Sequence, residues 1–272
     1  MNGIKHRDEA PALSVKGLTY SFPGEPLLFD HLSFDIKEGE FVSLLAASGI
    51  GKTTLFRLLA GLLDGTAGEI VIGGAQPSIA AEPKQGRVGY MPQRDCLMPW
   101  RTVLDNAALG LELTGLSKRE ARLRALEQLS LAGLEGKEHK YPHELSGGMR
   151  QRVSFLRSLL GGANVLLLDE PFSALDAMTR SNMQEWLLQV WEQHRKTIVF
   201  VTHDVDEALL LSDRVLIAAK SPVVRLEEFT VNLPRPRTYE TVMDEAFIAL
   251  KREVLKLVRH DSSVLGLERG GL

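Results

Sequence analysis

FVSLLAASGIGKTTLFRLLAGLL, residues 41–63, is the stretch from which the fold follows. Phe41 to Leu45 is a continuous apolar run of strand length, as expected of a strand buried on both faces. Thr54 to Leu63 spaces its leucines and Phe56 as a helix does. Between them lies Ala46, Ala47, Ser48, Gly49, Ile50, Gly51, Lys52, Thr53 and Thr54. A loop that leaves a strand and opens a helix aims backbone N–H groups and the positive end of the helix dipole at one spot, where a phosphate is stabilised. Lys52 would neutralise charge on the β- and γ-phosphates of ATP, and the Thr53 hydroxyl suits Mg²⁺. Gly49 and Gly51 let the backbone approach with no Cβ in the way. Such loops usually open with glycine. Here Ala46 stands first, which is tolerable if that residue keeps a negative φ.

Working outward, further strands are expected at HLSFDI (residues 31–36), Glu69–Ile72, Arg87–Met91, Val165–Leu168, Thr197–Val201 and Arg214–Ala218, interleaved with helical stretches. That alternation predicts an α/β layered sheet, largely parallel. From about Met98 to Leu160 the strand signal disappears. Ser117 and Glu120 form a capping-box pattern there, and Gly147–Leu160 has helical spacing, so this region reads as a helical insert. After Pro236 the tail carries a helix-like segment, Asp244–Val258, with no recognisable chemistry.

Two other segments carry chemistry. VLLLDEP, residues 165–171, delivers Asp169 and Glu170 at the carboxyl end of an apolar strand, where open α/β sheets bind ligands. Asp169 suits the Mg²⁺ shell, and Glu170 suits the orientation of an attacking water. ELSGGMRQR, residues 144–152, places Ser146, Gly147 and Gly148 at a helix start, a second anion-binding arrangement. One chain thus holds two phosphate-binding helix starts and one loop lysine.

With these segments in this order, the chain resembles the nucleotide-binding subunit of an ATP-binding-cassette (ABC) transporter. LSGGM differs from that family's signature LSGGQ only at Met149. The resemblance spans about Leu13 to Arg237 and implies a P-loop NTPase (RecA-like) core with an N-terminal antiparallel β-subdomain. It implies that Gln93, in YMPQ, senses Mg²⁺ and the water, that Asp176, in SALD, is the D-loop residue, and that His203 contacts the γ-phosphate. Phe22 or Tyr20 would stack on adenine. It further implies a head-to-tail homodimer in which Ser146, Gly147 and Gly148 cap the nucleotide held by the partner's loop. The domain boundaries expected are a disordered terminus at 1–11, the ATPase domain at 12–237 with its helical part at about 98–160, and a helical extension at 238–272.

CLMPWRTVLDNAALGLEL, residues 96–113, and LPRPR, residues 233–237, are similar to segments of importer ATPases for nitrate, sulfonates, taurine or thiamine precursors. Two readings, compatible with each other, are open: Trp100 packs the insert on the core, and Gln93 to Trp100 lies beside a groove that receives a short helix of a membrane permease. The resemblance implies a permease partner, an indirect extracytoplasmic solute-binding protein and a peripheral place on the cytoplasmic membrane face. A soluble ABC ATPase and an exporter subunit are the alternatives.

Composition narrows the classes. A net charge of −3, from 32 basic and 35 acidic residues interspersed, offers no basic face for nucleic acid. Cys96 is the single cysteine, so an internal disulfide is excluded and a packing role is expected. No apolar run approaches the roughly 18 residues of a membrane span.

Overall fold

The computed structural model describes residues 10–47, 49–73, 88–218 and 220–262. Ser48, Arg87 and most of the expected disordered terminus lie outside the described residues.

Six strands form the central sheet: β3 (Phe41–Ala46), β5 (Val88–Met91), β6 (Val165–Asp169), β7 (Thr197–Thr202), β8 (Arg214–Ala218) and β9 (Glu227–Thr230), in the order β5-β6-β7-β3-β8-β9. All neighbours are parallel except β8 and β9. The apolar runs are continuous because both faces of this sheet are covered, and alternate residues serve different cores. Phe41 and Leu45 of β3, with Leu166, Leu168, Ile198 and Phe200, belong to one core. Val42, Leu44 and Ala46, with Val165, Leu167, Val199 and Val201, belong to the other. Each fully buried side chain of this size contributes on the order of 1.5–3 kcal/mol.

The second core lies beneath a three-stranded antiparallel sheet of β1 (Leu13–Ser21), β2 (Leu27–Ile36) and β4 (Ala67–Ile72), in the order β2-β1-β4. This is the expected antiparallel part. Helix α1 (Lys52–Leu59) also packs into this core. It stops four residues short of the expected Leu63, because Gly61 adopts a left-handed φ of 69°. There its N–H reaches Leu58 O, and Leu62 N–H reaches Arg57 O, closing the helix with a Schellman motif.

The first core is covered by α2 (Val103–Leu113), α3 (Lys118–Leu131), α4 (Gly147–Leu160), α5 (Ala177–His194), α6 (Val205–Leu211) and α7 (Glu245–Ser262). Helices α2, α3 and α4 make up the expected insert. The capping box of α3 is present: Glu120 N–H donates to Ser117 Oγ at 3.3 Å and Ser117 N–H to Glu120 Oε2 at 3.2 Å. The tail helix runs past Val258 to Ser262.

Two expectations fail. Cys96 is exposed, with φ 46°, so it does not pack in a core, and its carbonyl accepts from Arg157 Nη1 at 2.7 Å. Trp100 is 74% exposed, so it does not bind the insert to the core either.

Helices α2 and α4 approach backbone to backbone at Gly110. A Cβ there would lie 2.3 Å from Arg157 O and 2.8 Å from Gly161 N. Backbone cannot yield as a flexible side chain does. Gly110→Ala is therefore expected to destabilise the fold by about 3 kcal/mol, the upper end for overpacking. Urea unfolding measures it, and an unchanged midpoint would contradict the close crossing.

Candidate active site

The carboxyl ends of β3, β6 and β7 are level. Leu45 is in register with Thr202, and Asp169 with Val201. The loop after β3, the acidic pair after β6 and His203 after β7 therefore emerge side by side.

Glu170 is where they meet. Its Oε1 lies 3.3 Å from Lys52 Nζ, and its Oε2 lies 3.5 Å from His203 Nδ1 and 3.4 Å from Gln93 Nε2. Three elements thus converge on one carboxylate that is 16% exposed. Glu170 has φ 44°, a left-handed backbone that a non-glycine residue adopts only where its surroundings hold it. Those holds are visible. Glu170 N–H continues the ladder to Val201 O at 3.1 Å, and the Glu170 carbonyl accepts from Ser173 Oγ at 3.0 Å.

Lys52 is buried, and its ammonium also donates to Ala46 O at 3.0 Å and Ala47 O at 3.1 Å. Ala46 ends strand β3 opposite Ala218 and is not among the residues with positive φ. A glycine is thus unnecessary at this position. Gly51, by contrast, caps α1 at φ 98°, and a Cβ on it would meet Leu28 Cδ2 at 2.6 Å.

Asp169 is 1% exposed. Burial pushes its carboxyl above the usual range, opposed by hydrogen bonds from Thr53 and Tyr90. Tyr90 is a site residue that sequence reasoning missed. It donates to Asp169 Oδ2 at 3.3 Å, and burial, with Asp169 beside it, pushes its hydroxyl up to about 12, so it stays a donor. A polar-tipped residue in the apolar strand next to β6 was the available signal. Ser173 was missed too, and it accepts from Gln93 Nε2 at 3.4 Å.

The remaining expected residues stand elsewhere. Ser146 caps α4 by accepting from Met149 N–H at 3.4 Å, and Gly148 abuts Thr179 of α5, where a Cβ would meet Cγ2 at 2.5 Å. Gly147 faces Leu175. Among the described residues, no hydrogen bond or ion pair joins these three to Lys52 or Glu170. Asp176 is exposed and caps α5, accepting from Thr179 N–H at 3.0 Å. Phe22 is 38% exposed, whereas Tyr20 is 7% exposed and meets the Phe22 ring edge-on at 5.2 Å.

A site of this kind can hold a triphosphate against a lysine and a helix N-terminus, with a carboxylate, an imidazole and an amide around the terminal phosphate. Known proteins agree. The family model described as ABC transporter matches residues 29–173. The chain belongs to the ABC transporter family. It is 40% identical over 252 residues to the formylaminopyrimidine import ATP-binding protein ThiZ of Halalkalibacterium halodurans, covering 92% of this chain and 97% of ThiZ. It is 44% identical over 206 residues to the taurine import ATP-binding protein TauB of Rhizobium johnstonii, covering 76% of this chain and 77% of TauB. Among solved structures, it resembles a dimeric post-hydrolysis state of the ATP-binding cassette MJ0796 bound to ADP and Pi, with TM-score 0.70 and 30% identity over 82% of this chain and all of that one. It also resembles cbiO1 of Clostridium perfringens, part of the ABC transporter complex cbiONQ, with TM-score 0.74 and 26% identity over 95% of this chain and all of that one. This ABC cassette binds and hydrolyses ATP.

A carboxyl held above its usual value of 3.8 by burial makes the nucleotide-free fold lose stability as pH rises through its folded pKa. At neutral pH the ionised Asp169 is then a net cost, as polar groups at functional sites often are. Asp169→Asn is expected to raise the Tm in chelator at pH 7.5, while removing turnover. A lower Tm would mean that the Thr53 and Tyr90 hydrogen bonds outweigh burial.

Proposed function

We propose that this chain energises import of a small solute, of the taurine-like anion or thiamine-precursor class, through a separate membrane permease. Convergence of Lys52, Gln93 and His203 on Glu170 carries the catalytic part of this reading. Lys52 and the N–H groups of Ala46 to Thr54 would bind the phosphates, and Phe22, the more exposed ring, would stack on adenine. Glu170 would orient the attacking water, with Gln93 placing it and His203 contacting the γ-phosphate.

Thr53, Gln93 and Asp169 would hold Mg²⁺. A nearly fully buried carboxylate beside a hydroxyl fits a cation that takes few protein ligands and completes its shell with phosphate oxygens and water. When bound, the ion neutralises charge on the phosphates.

Among the described residues Ser146, Gly147 and Gly148 share no hydrogen bond or ion pair with Lys52, which supports a role across a two-fold homodimer, where Asp176 would lie at the same seam. ATP would close the dimer because it binds the closed form better, and hydrolysis would reopen it, driving the permease between two states. Exposed Trp100 supports docking of a permease helix near the segment that follows Gln93. A groove of about 720 Å³ among the described residues is lined by Tyr90, Leu113 and Arg157, and Arg157 also holds the carbonyls of Asp95 and Cys96. No helix among the described residues is long and apolar enough to cross a membrane. The domain would span 12–237, with 238–272 as an extension, and an extracytoplasmic binding protein would supply the solute.

Glu170→Gln is expected to lower kcat by at least about 100-fold, the lower bound for general-base loss, while ATP still drives a dimer visible by gel filtration. Normal turnover would sink the role given to Glu170. Phe22→Ala is expected to raise KM for ATP about 10-fold with kcat unchanged, since a stacked base is worth roughly 1–3 kcal/mol. Purification from solubilised membranes should bring a permease with the chain. An eluate without any membrane protein would favour a soluble ATPase.

A further inference from the structure

His203 sits between β7 and α6, a helix of seven residues. So short a helix has little stability of its own, and its place depends on what grips it. At its start, Asp204 accepts from Asp206 N–H and Glu207 N–H, and buried Glu207 accepts from Thr202 Oγ1 at 2.6 Å and Gln184 Nε2 at 3.2 Å.

Its other end explains LPRPR. A helix leaves its last four carbonyls without intrahelical partners. For α6 with its cap these are Leu209, Leu210, Leu211 and Ser212, and an arginine reaches every one. Arg237 Nη1 donates to Leu209 O at 3.0 Å, Leu210 O at 3.3 Å and Ser212 O at 2.6 Å. Arg235 Nη2 donates to Leu211 O at 2.8 Å. Arg237 is 4% exposed, and its Nη2 continues to Leu233 O at 3.0 Å. Its charge lies on the negative end of the helix dipole. Arg235 is fixed in turn by Asp213 Oδ1 at 2.8 Å and by the Trp191 ring of α5 at 4.1 Å.

The tail helix adds a third hold. Lys251 Nζ lies 2.7 Å from Asp206 Oδ1, in the first turn of α6, while Phe247 and Val254 are fully buried in the shared core. Chain from Leu233 to Val254 therefore grips both ends of the helix that follows His203. If only bulk were needed, an apolar residue would fill the Arg237 position at lower desolvation cost.

We propose that Arg237, supported by Lys251, is a positioning residue for ATP hydrolysis: it fixes α6 and so keeps His203 beside Glu170. This rests on the reading of His203 as the γ-phosphate contact. Lys52 and Phe22 lie on other elements, so ATP binding is left alone while the chemical step depends on the clamp. Misplacement of about 1 Å can cost up to roughly 100-fold in rate.

The test is steady-state ATPase kinetics of the full chain carrying Arg237→Met or Lys251→Met, each with His203 intact and with His203→Ala. Both changes are expected to lower kcat, roughly 10-fold and 3-fold, with KM for ATP within about 2-fold of the parent. Neither should lower the residual rate of His203→Ala further. The same proportional loss in the His203→Ala background, or unchanged kcat in folded variants, overturns the proposal. If Arg237→Met does not fold, half-exposed Lys251→Met carries the comparison. Wild-type turnover in His203→Ala alone would instead overturn the role of His203. The clamp is then read from the His203 imidazole resonance in labelled protein, which Lys251→Met should shift or broaden and which would stay unchanged if the tail does not hold it.

Discussion

Lys52 is 8% exposed, and its ammonium has its charge partner in Glu170, 3.3 Å away. A buried ammonium is tolerated only when paired and hydrogen-bonded, so both residues must be delivered to the same point by the backbone. The central sheet does this: parallel register levels the ends of β3, β6 and β7, and the loops that leave those ends carry the lysine, the acidic pair and the histidine. The two hydrophobic cores exist on either side of the sheet because the strands that place the charges have no face left for water. An incoming triphosphate would compete for the same ammonium, so the contact that organises the site is also the one ATP would replace.

Much of this was legible in the sequence. Continuous apolar runs at Phe41–Leu45 and Val165–Leu168 located strands whose two faces are both covered, and the capping box at Ser117 and Glu120 marked the start of α3. What escaped had physical causes. Strand β1 contains Gly17 and register shifts against both of its neighbours, which blur its alternation. Helix α5 mixes buried Gln184 with its apolar residues, so its stripe is indistinct. At the site, the motif residues were found by type and spacing, while Tyr90 and Ser173 were not, since their part depends on cross-strand and loop geometry.

The departures from the usual motifs have local explanations in two cases. Ala46 closes a β ladder and needs no unusual φ, so the lost glycine costs the loop nothing in backbone freedom. LPRPR, which carried only a subfamily likeness, becomes a double arginine cap on α6. Met149 is partly buried against the first core, so its side chain is tied to packing within its own subunit.

The level strand ends have a further consequence. Positions along a strand are quantised: a neighbouring strand can shift only in steps that restore its hydrogen bonds and side-chain faces, about 6.6 Å for two residues. Between Lys52, Glu170 and His203 there is no small error available to the sheet itself. Core substitutions should therefore either leave the spacing of these groups intact or abolish it with the fold, and gradual adjustment of the hydrolysis rate falls to the short segments beyond the strand ends, such as the helix after His203, whose place is set by side-chain contacts at its two ends and not by strand register.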